Sequence, residues 1–481
     1  MGIFRLGHFT AICLDQLLRS AWPRGSDHPS KYYGQMRIKR FLKTSIVTAF
    51  LLLSQASAQS LVPPGAESRV LPNGMRAVVI PTDTKDVVAL QIVMSVGSRN
   101  EVEKGKSGFA HFFEHLMFRG TERYPNAVAD AMLKEAGVDS NAWTWDDQTV
   151  YHKVFLKEDL PKILDYEADR FQNLKYAEPE FRTEALAVLG EYNKNSANPT
   201  EKMSELLQET AFTTHTYEHT TMGFLADIEK FPEGYEYSWQ FFDRFYRPEY
   251  ATLLLVGDVN PEAAFKLVEQ EFGGWKKGDY VSEIAVEPPQ TEPKEEHIVW
   301  DSPTLPWVMV GYKAPPFSDL QDTAALQVWE SLAFSKTSEL YKKLVLEQQV
   351  VDEFEPFFWL KKDPFLVGLS VRVTDPTKVD EVRREVLETF EKLAAQPVSV
   401  QKLEEVKSRM RYSYLQGLNS PASIASSIAF SLSLDPELSA IDKYYEAIAK
   451  VSAQDLADVA KEIFKPKGRT IITLAQKEMS K

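Results

Sequence analysis

The chain has 481 residues, enough for two or three domains, and its 44% hydrophobic content is ordinary for a folded globular protein. A formal net charge of −14 argues against a protein that coats nucleic acid or an anionic membrane. The one cysteine, Cys13, lies near the amino terminus, which excludes a disulfide framework and, once a leader is removed, a thiol mechanism.

Residues 1–35 show no clear period. Arg37, Lys39 and Arg40 then precede an apolar run from Phe41 to Leu53, and the small residues Ala56-Ser57-Ala58 follow. This is the layout of a secretory signal peptide over 36–58. Translation is expected to start at Met36, with 1–35 a mis-called extension, and cleavage after Ala58 delivers the chain to a bacterial periplasm or the cell exterior. An uncleaved anchor is the competing reading. Residues 1–58 hold eight Lys or Arg and two Asp or Glu, so their removal takes the charge from −14 to −20. No later stretch is long and apolar enough to cross a bilayer, so no stable membrane span is expected after cleavage.

From Arg69 to Ile80 the chain reads as a hairpin turned at Asn73-Gly74, and Val87 to Val96 as a further apolar strand. Ser107 to Phe118 follows, containing His111-Phe112-Phe113-Glu114-His115 among Phe109, Leu116 and Met117. That density of apolar residues predicts a buried helix. Positions four apart share a helical face, so His111 and His115 can offer imidazole nitrogens to one ion, with Glu114 on the adjoining flank. Such a carboxylate reaches water on the ion without taking a coordination site, as a hydrolytic zinc centre needs. Core histidines on an apolar helix are the competing reading.

Tyr124 to Lys134 predicts a second helix, and Gly137 to Phe155 is rich in strand formers, with His152 given a structural or substrate-facing role. Helices are expected from Leu160 to Leu174 and from Pro179 to about Asn195. On the latter, Glu184 and Glu191 share a face two turns apart; one would supply a third metal ligand and the other would buttress it.

His215-Thr216-Tyr217-Glu218-His219 is a second copy of the spacing, but it sits in a polar, β-branched run that predicts loop or strand, too extended for one ion. Phe245 to Gly257 places an aromatic residue, a base and a proline before an apolar strand, and Ile463 to Leu474 repeats that order. Two domains of similar build are expected, 59–285 and 298–481, joined by a proline-rich acidic linker at 286–297.

Together the spacings resemble the pitrilysin, insulysin and mitochondrial-processing-peptidase family of inverted-motif zinc peptidases, in its short two-domain form. That family places a glutamate 76 positions after the second histidine and another seven before it, and here Glu191 follows His115 by 76 and Glu184 precedes Glu191 by seven. The second copy has Glu295 at the same distance, but in a proline-rich segment with Pro288 seven before. The resemblance implies an α+β fold of two similar domains, each an antiparallel sheet with helices packed on one face. It implies one zinc ion per chain, held by His111, His115 and Glu191, with Glu114 as general base and Glu184 supporting the ligands. It makes Asn141, Ala142, Trp143 and Thr144 an edge strand that pairs with substrate backbone, although Trp143 and Trp145 could equally cap a core.

The implied activity is a secreted or periplasmic endopeptidase hydrolysing unfolded peptides inside a two-subunit chamber. Active family members also carry an arginine and a tyrosine seven apart across that chamber, where this chain has Val345 and Asp352. A homologous partner subunit is therefore expected to supply them. The alternative is a scaffold or peptide-binding subunit without turnover.

Overall fold

Asn73 and Gly74 reverse the chain between its first two strands. The Asn73 carboxamide accepts from the Met75 amide and donates to the Phe272 carbonyl at 2.8 Å, and Gly74 takes φ of 91°, which costs a residue with Cβ and costs glycine nothing. The computed structural model describes residues 60–395 and 397–477. The expected extension and signal peptide lie outside the described residues, and both sheets belong to the unit that begins at Val62.

The first sheet has six strands: β1 (Glu67–Val70), β2 (Arg76–Pro81), β3 (Val87–Met94), β4 (Asp139–Thr144), β5 (Thr149–Leu156) and β6 (Ala251–Gly257), ordered β1-β2-β6-β3-β5-β4. The second has five: β7 (Lys294–Trp300), β8 (Trp307–Ala314), β9 (Val351–Phe358), β10 (Phe365–Val373) and β11 (Arg469–Gln476), ordered β7-β11-β8-β10-β9. Matching β6 to β11 superimposes the two orders, with β1 as the extra edge. The helix, proline and strand joint that recurs in the sequence thus feeds the equivalent inserted strand of each sheet.

The longer helices are α1 (Phe109–Leu116), α2 (Asn126–Glu135), α3 (Leu160–Gln172), α4 (Glu178–Asn195), α5 (Pro199–Ala211), α6 (Tyr235–Phe245) and α7 (Pro261–Phe272), then α8 (Leu320–Ala333), α9 (Val379–Leu393), α10 (Val400–Gly417), α11 (Pro421–Leu434), α12 (Ala440–Lys450) and α13 (Ala453–Ile463). None is long and apolar enough to cross a membrane.

The architecture is α+β with two similar domains, refined in two respects. Each sheet is antiparallel except for one pair, β2 with β6 and β7 with β11. The reason is geometric: β6 inserts between β2 and β3, which run in opposite directions, so it must be parallel to one of them. Secondly, helices lie on both faces. Val88, Leu90, Ile92 and Met94 of β3 face the main core under α1, while Ala89 and Val93 face Ala425, Ile428 and Ala429 of α11. Covering on both faces explains why β3 reads as an unbroken apolar run. Likewise Leu207 and Ala211 of α5 pack with Met309, Leu366 and Ile472 of the second sheet. Each half therefore lends one helix to the other.

Candidate metal centre

Helix α1 begins at Gly108 with φ of 83°, where a Cβ would fall 2.2 Å from the Met222 carbonyl oxygen, so only glycine fits. The Glu101 carboxylate accepts from the amides of Gly108 and Ala110 at 2.6 Å each and satisfies donors that a helix start leaves open. Phe109, Phe112 and Phe113 then bury one face of α1, with Phe112 stacked on Phe231 at 4.8 Å. That packing turns the flank of His111, Glu114 and His115 toward β4 and α4.

There the two Nε2 atoms approach to 3.3 Å, and Glu191 Oε2 stands 3.8 Å from His111 Nε2 and 3.6 Å from His115 Nε2. Among the described residues this is the one group of three His, Cys, Asp or Glu side chains whose ligand atoms converge, all within 4.8 Å. A tetrahedral zinc site with arms of roughly 2.0–2.1 Å needs ligand atoms about 3.3–3.4 Å apart along each edge. The nitrogen pair already meets that spacing, and the carboxylate oxygen falls a few tenths of an ångström outside it. The donor set also fits: burial, then the neighbouring His115, pushes His111 down to about 3, so its imidazole is neutral and can present a lone pair. His111 Nδ1 is buried without a hydrogen-bond partner. His115 is fixed from behind, its Nδ1 3.0 Å from Glu184 Oε1, while Arg119 donates to Glu184 Oε2 at 2.6 Å.

Glu114 stands outside the trio. It is 9% exposed, and its Oε2 accepts from the Thr144 hydroxyl at 2.6 Å. Burial raises its pKa to about 7, against the Thr144 bond and the His115 charge, which pull it down. A carboxyl that exchanges its proton near neutrality suits general base and general acid work.

The four edge-strand residues separate by face. Ala142 packs toward the α1 core and Thr144 reaches Glu114, whereas Trp143 packs on the opposite side with the α11 cluster, and Asn141 is exposed. β4 is nonetheless an edge strand of its sheet, at the end opposite β1. His152 lies on β5 opposite Asn141. In the second copy of the spacing the rings are engaged elsewhere. His215 Nε2 is 3.0 Å from Asp363 Oδ2, while His219 Nδ1 lies 3.0 Å from the Thr220 carbonyl and its Nε2 3.7 Å from Glu101. Of the positions where the resemblance expects arginine and tyrosine, Val345 packs on the second core and Asp352 accepts two bonds from Arg372 at 2.8 and 3.0 Å.

Sequence reasoning passed over Arg119 and Glu101. Arg119 carried a signal, since it lies four residues beyond His115. Glu101 carried none, because its contact depends on a loop whose path no local pattern specifies.

Residues 76–224 match the family described as insulinase, peptidase family M16, and residues 235–410 match the peptidase M16 inactive domain. The chain belongs to the insulinase family. Over 454 residues it is 29% identical to the zinc protease PqqE of Helicobacter pylori, an alignment covering 91% of this chain and 98% of that protein. A crystal structure of a protease from Helicobacter pylori superimposes with a TM-score of 0.80 at 28% identity, over 86% of this chain and 99% of the other. The periplasmic protease PqqL of Escherichia coli shares the fold at 17% identity and a TM-score of 0.68; the match covers 86% of this chain but 48% of PqqL. This insulinase-family chain thus has the extent of about half of that protein.

Proposed function

We propose that this insulinase-family chain is a zinc-dependent endopeptidase that hydrolyses unfolded peptides in a chamber closed by a second, homologous subunit, after export by the signal peptide at 36–58 to the periplasm or cell exterior. The observation that carries the proposal is the meeting of His111 Nε2, His115 Nε2 and Glu191 Oε2 beside a buried Glu114 that binds none of them. His111, His115 and Glu191 would hold one zinc ion, which when bound polarises a peptide carbonyl and acidifies water. Glu114 accepts a proton from the attacking water and returns it to the leaving amine. Glu184 keeps His115 in the tautomer that presents Nε2. An extended peptide hydrogen-bonds along the outer edge of β4, over Asn141 to Thr144, which positions its backbone without demanding a particular sequence.

The domain division is taken at 286–297, shortened at its far end because Lys294 to His297 already pair with β11 as the start of β7. Val345 and Asp352 leave this chain without the arginine and tyrosine of active relatives, which is the ground for the partner. The same substitution favours the second reading, a subunit that binds peptide without turnover. Zinc content, and cleavage of an unstructured peptide with and without chelator and a candidate partner, separate the two. Replacing Glu114 by Gln is expected to leave zinc bound and abolish cleavage. Undiminished cleavage by E114Q removes Glu114 from this role.

A further inference from the structure

Thr144 ends β4, an edge strand of its sheet, yet its hydroxyl turns inward to Glu114. A hydroxyl has a single proton to give. Thr144 Oγ1 lies 2.6 Å from Glu114 Oε2 and 3.4 Å from Thr149 Oγ1, while Thr149 in turn donates to the Val96 carbonyl at 3.0 Å. Since the Thr149 proton is committed to Val96 and a carboxylate accepts only, the Thr144 proton points at Glu114. The donor is held firmly. Thr144 pairs with Thr149 across the β4–β5 ladder, and its branched Cβ leaves little freedom at χ1. Its acceptor is buried near the end of an eight-residue helix, and among the described residues Thr144 supplies the hydrogen bond to the Glu114 carboxylate.

We propose that Thr144 is a positioning residue for Glu114 and not a contact for substrate: its hydroxyl pins Oε2, so that the other carboxylate oxygen remains free to take a proton. The inference rests on the peptidase reading above. It divides the edge strand into two jobs, with backbone along β4 for the peptide and the last side chain for the base. A hydrogen bond to a charged group is worth roughly 10–100-fold in rate, enough to measure.

The test uses the full chain, in whichever assembly gives wild-type turnover. Thr144→Val keeps shape and branching and removes the donor. T144V is expected to lower kcat by about 10–100-fold with KM and zinc stoichiometry unchanged, and Thr144→Ser is expected to recover most of the loss. Should T144V fold poorly by circular dichroism, T144S against T144A carries the same comparison. The second readout needs no turnover. A fluorescent unstructured peptide binding to zinc-loaded E114Q is expected to bind E114Q/T144V within twofold of the same affinity. Unchanged kcat in T144V, loss of zinc from a folded T144V, or weaker peptide binding by the double variant would each overturn the proposal, the last by making Thr144 a substrate contact. Failure of the peptidase reading looks different: wild type that binds no zinc or cleaves nothing, or E114Q that cleaves normally, removes both.

Discussion

His115 meets the protein through both ring nitrogens. Nε2 faces His111 and Glu191, and Nδ1 lies against Glu184, whose second oxygen is taken by Arg119. Burial opposes charge on this ring, but Glu184, followed by Glu114 and Glu191, raises its pKa, so the Glu184 contact governs how readily Nε2 gives its lone pair to a metal. Glu184→Gln keeps the volume and removes the charge that Nδ1–H and Arg119 share. Zinc affinity is expected to fall roughly 10–100-fold, read by competition with a chromophoric chelator, while far-UV circular dichroism stays unchanged. Equal affinities would leave Glu184 as packing. The pairing of His111 with His115 was legible from helical spacing, whereas the choice of Glu191 over Glu184 as the third member came from the family resemblance, whose two sequence distances it matches. The inward turn of Thr144 and the outward turn of Trp143 were not legible: strand alternation says they face opposite ways, but which face is which depends on what covers the sheet.

At the scale of the element, α1 is short for a helix that must fix three functional side chains, and eight residues cannot hold themselves helical in water. Its stability is imported from the phenylalanine face and from Glu101, which accepts from two backbone amides at its start. Glu101 is fully buried, and desolvation drives its pKa well above the usual carboxylate range in spite of those amides. Glu101→Ala strands both donors, so the chain is expected to lose about 1–2 kcal/mol of stability, measured as a lower denaturation midpoint, along with weakened zinc binding. A loss of midpoint with zinc affinity untouched would show that α1 holds its geometry without this cap. The hairpin at Asn73-Gly74 and the long α3 and α4 were readable because turn chemistry and helical period are local. The second His-x-x-Glu-His was expected as loop or strand and instead forms one 3-10 turn, Thr216–Glu218, because the His215 ring accepts from the Tyr217 amide; its part in fixing the surroundings of α1, through His219 beside Glu101, had no local signal either.

Across the whole molecule, the two halves are tied by exchanged helices and by a buried ionic seam. Neither tie has a sequence signature: α5 and α11 look like ordinary amphipathic or apolar helices, and only the assembled sheets reveal that each serves the other half. The seam runs from the β9–β10 connection into the first half. Lys361 donates to Asp146, and Asp363 accepts from Arg99 at 2.5 Å and lies 3.0 Å from His215. Burial disfavours the Asp363 carboxylate, but the His215 and Arg99 contacts win and bring its pKa down from 3.8 to about 2. A carboxylate whose folded pKa is depressed stabilises the folded state above its unfolded pKa, and that contribution drains away as pH falls toward 2. Between pH 5 and pH 3 the drain from this one group is about 1 kcal/mol. Other carboxylates titrate over the same range, so the comparison is between wild type and Asp363→Asn. Urea midpoints at the two pH values are expected to drop further for wild type than for D363N, by the equivalent of that 1 kcal/mol. Because Asp363 joins the halves, the excess is expected in the cooperative transition that unfolds both sheets; an equal drop in the two proteins would mean the seam contributes no acid sensitivity.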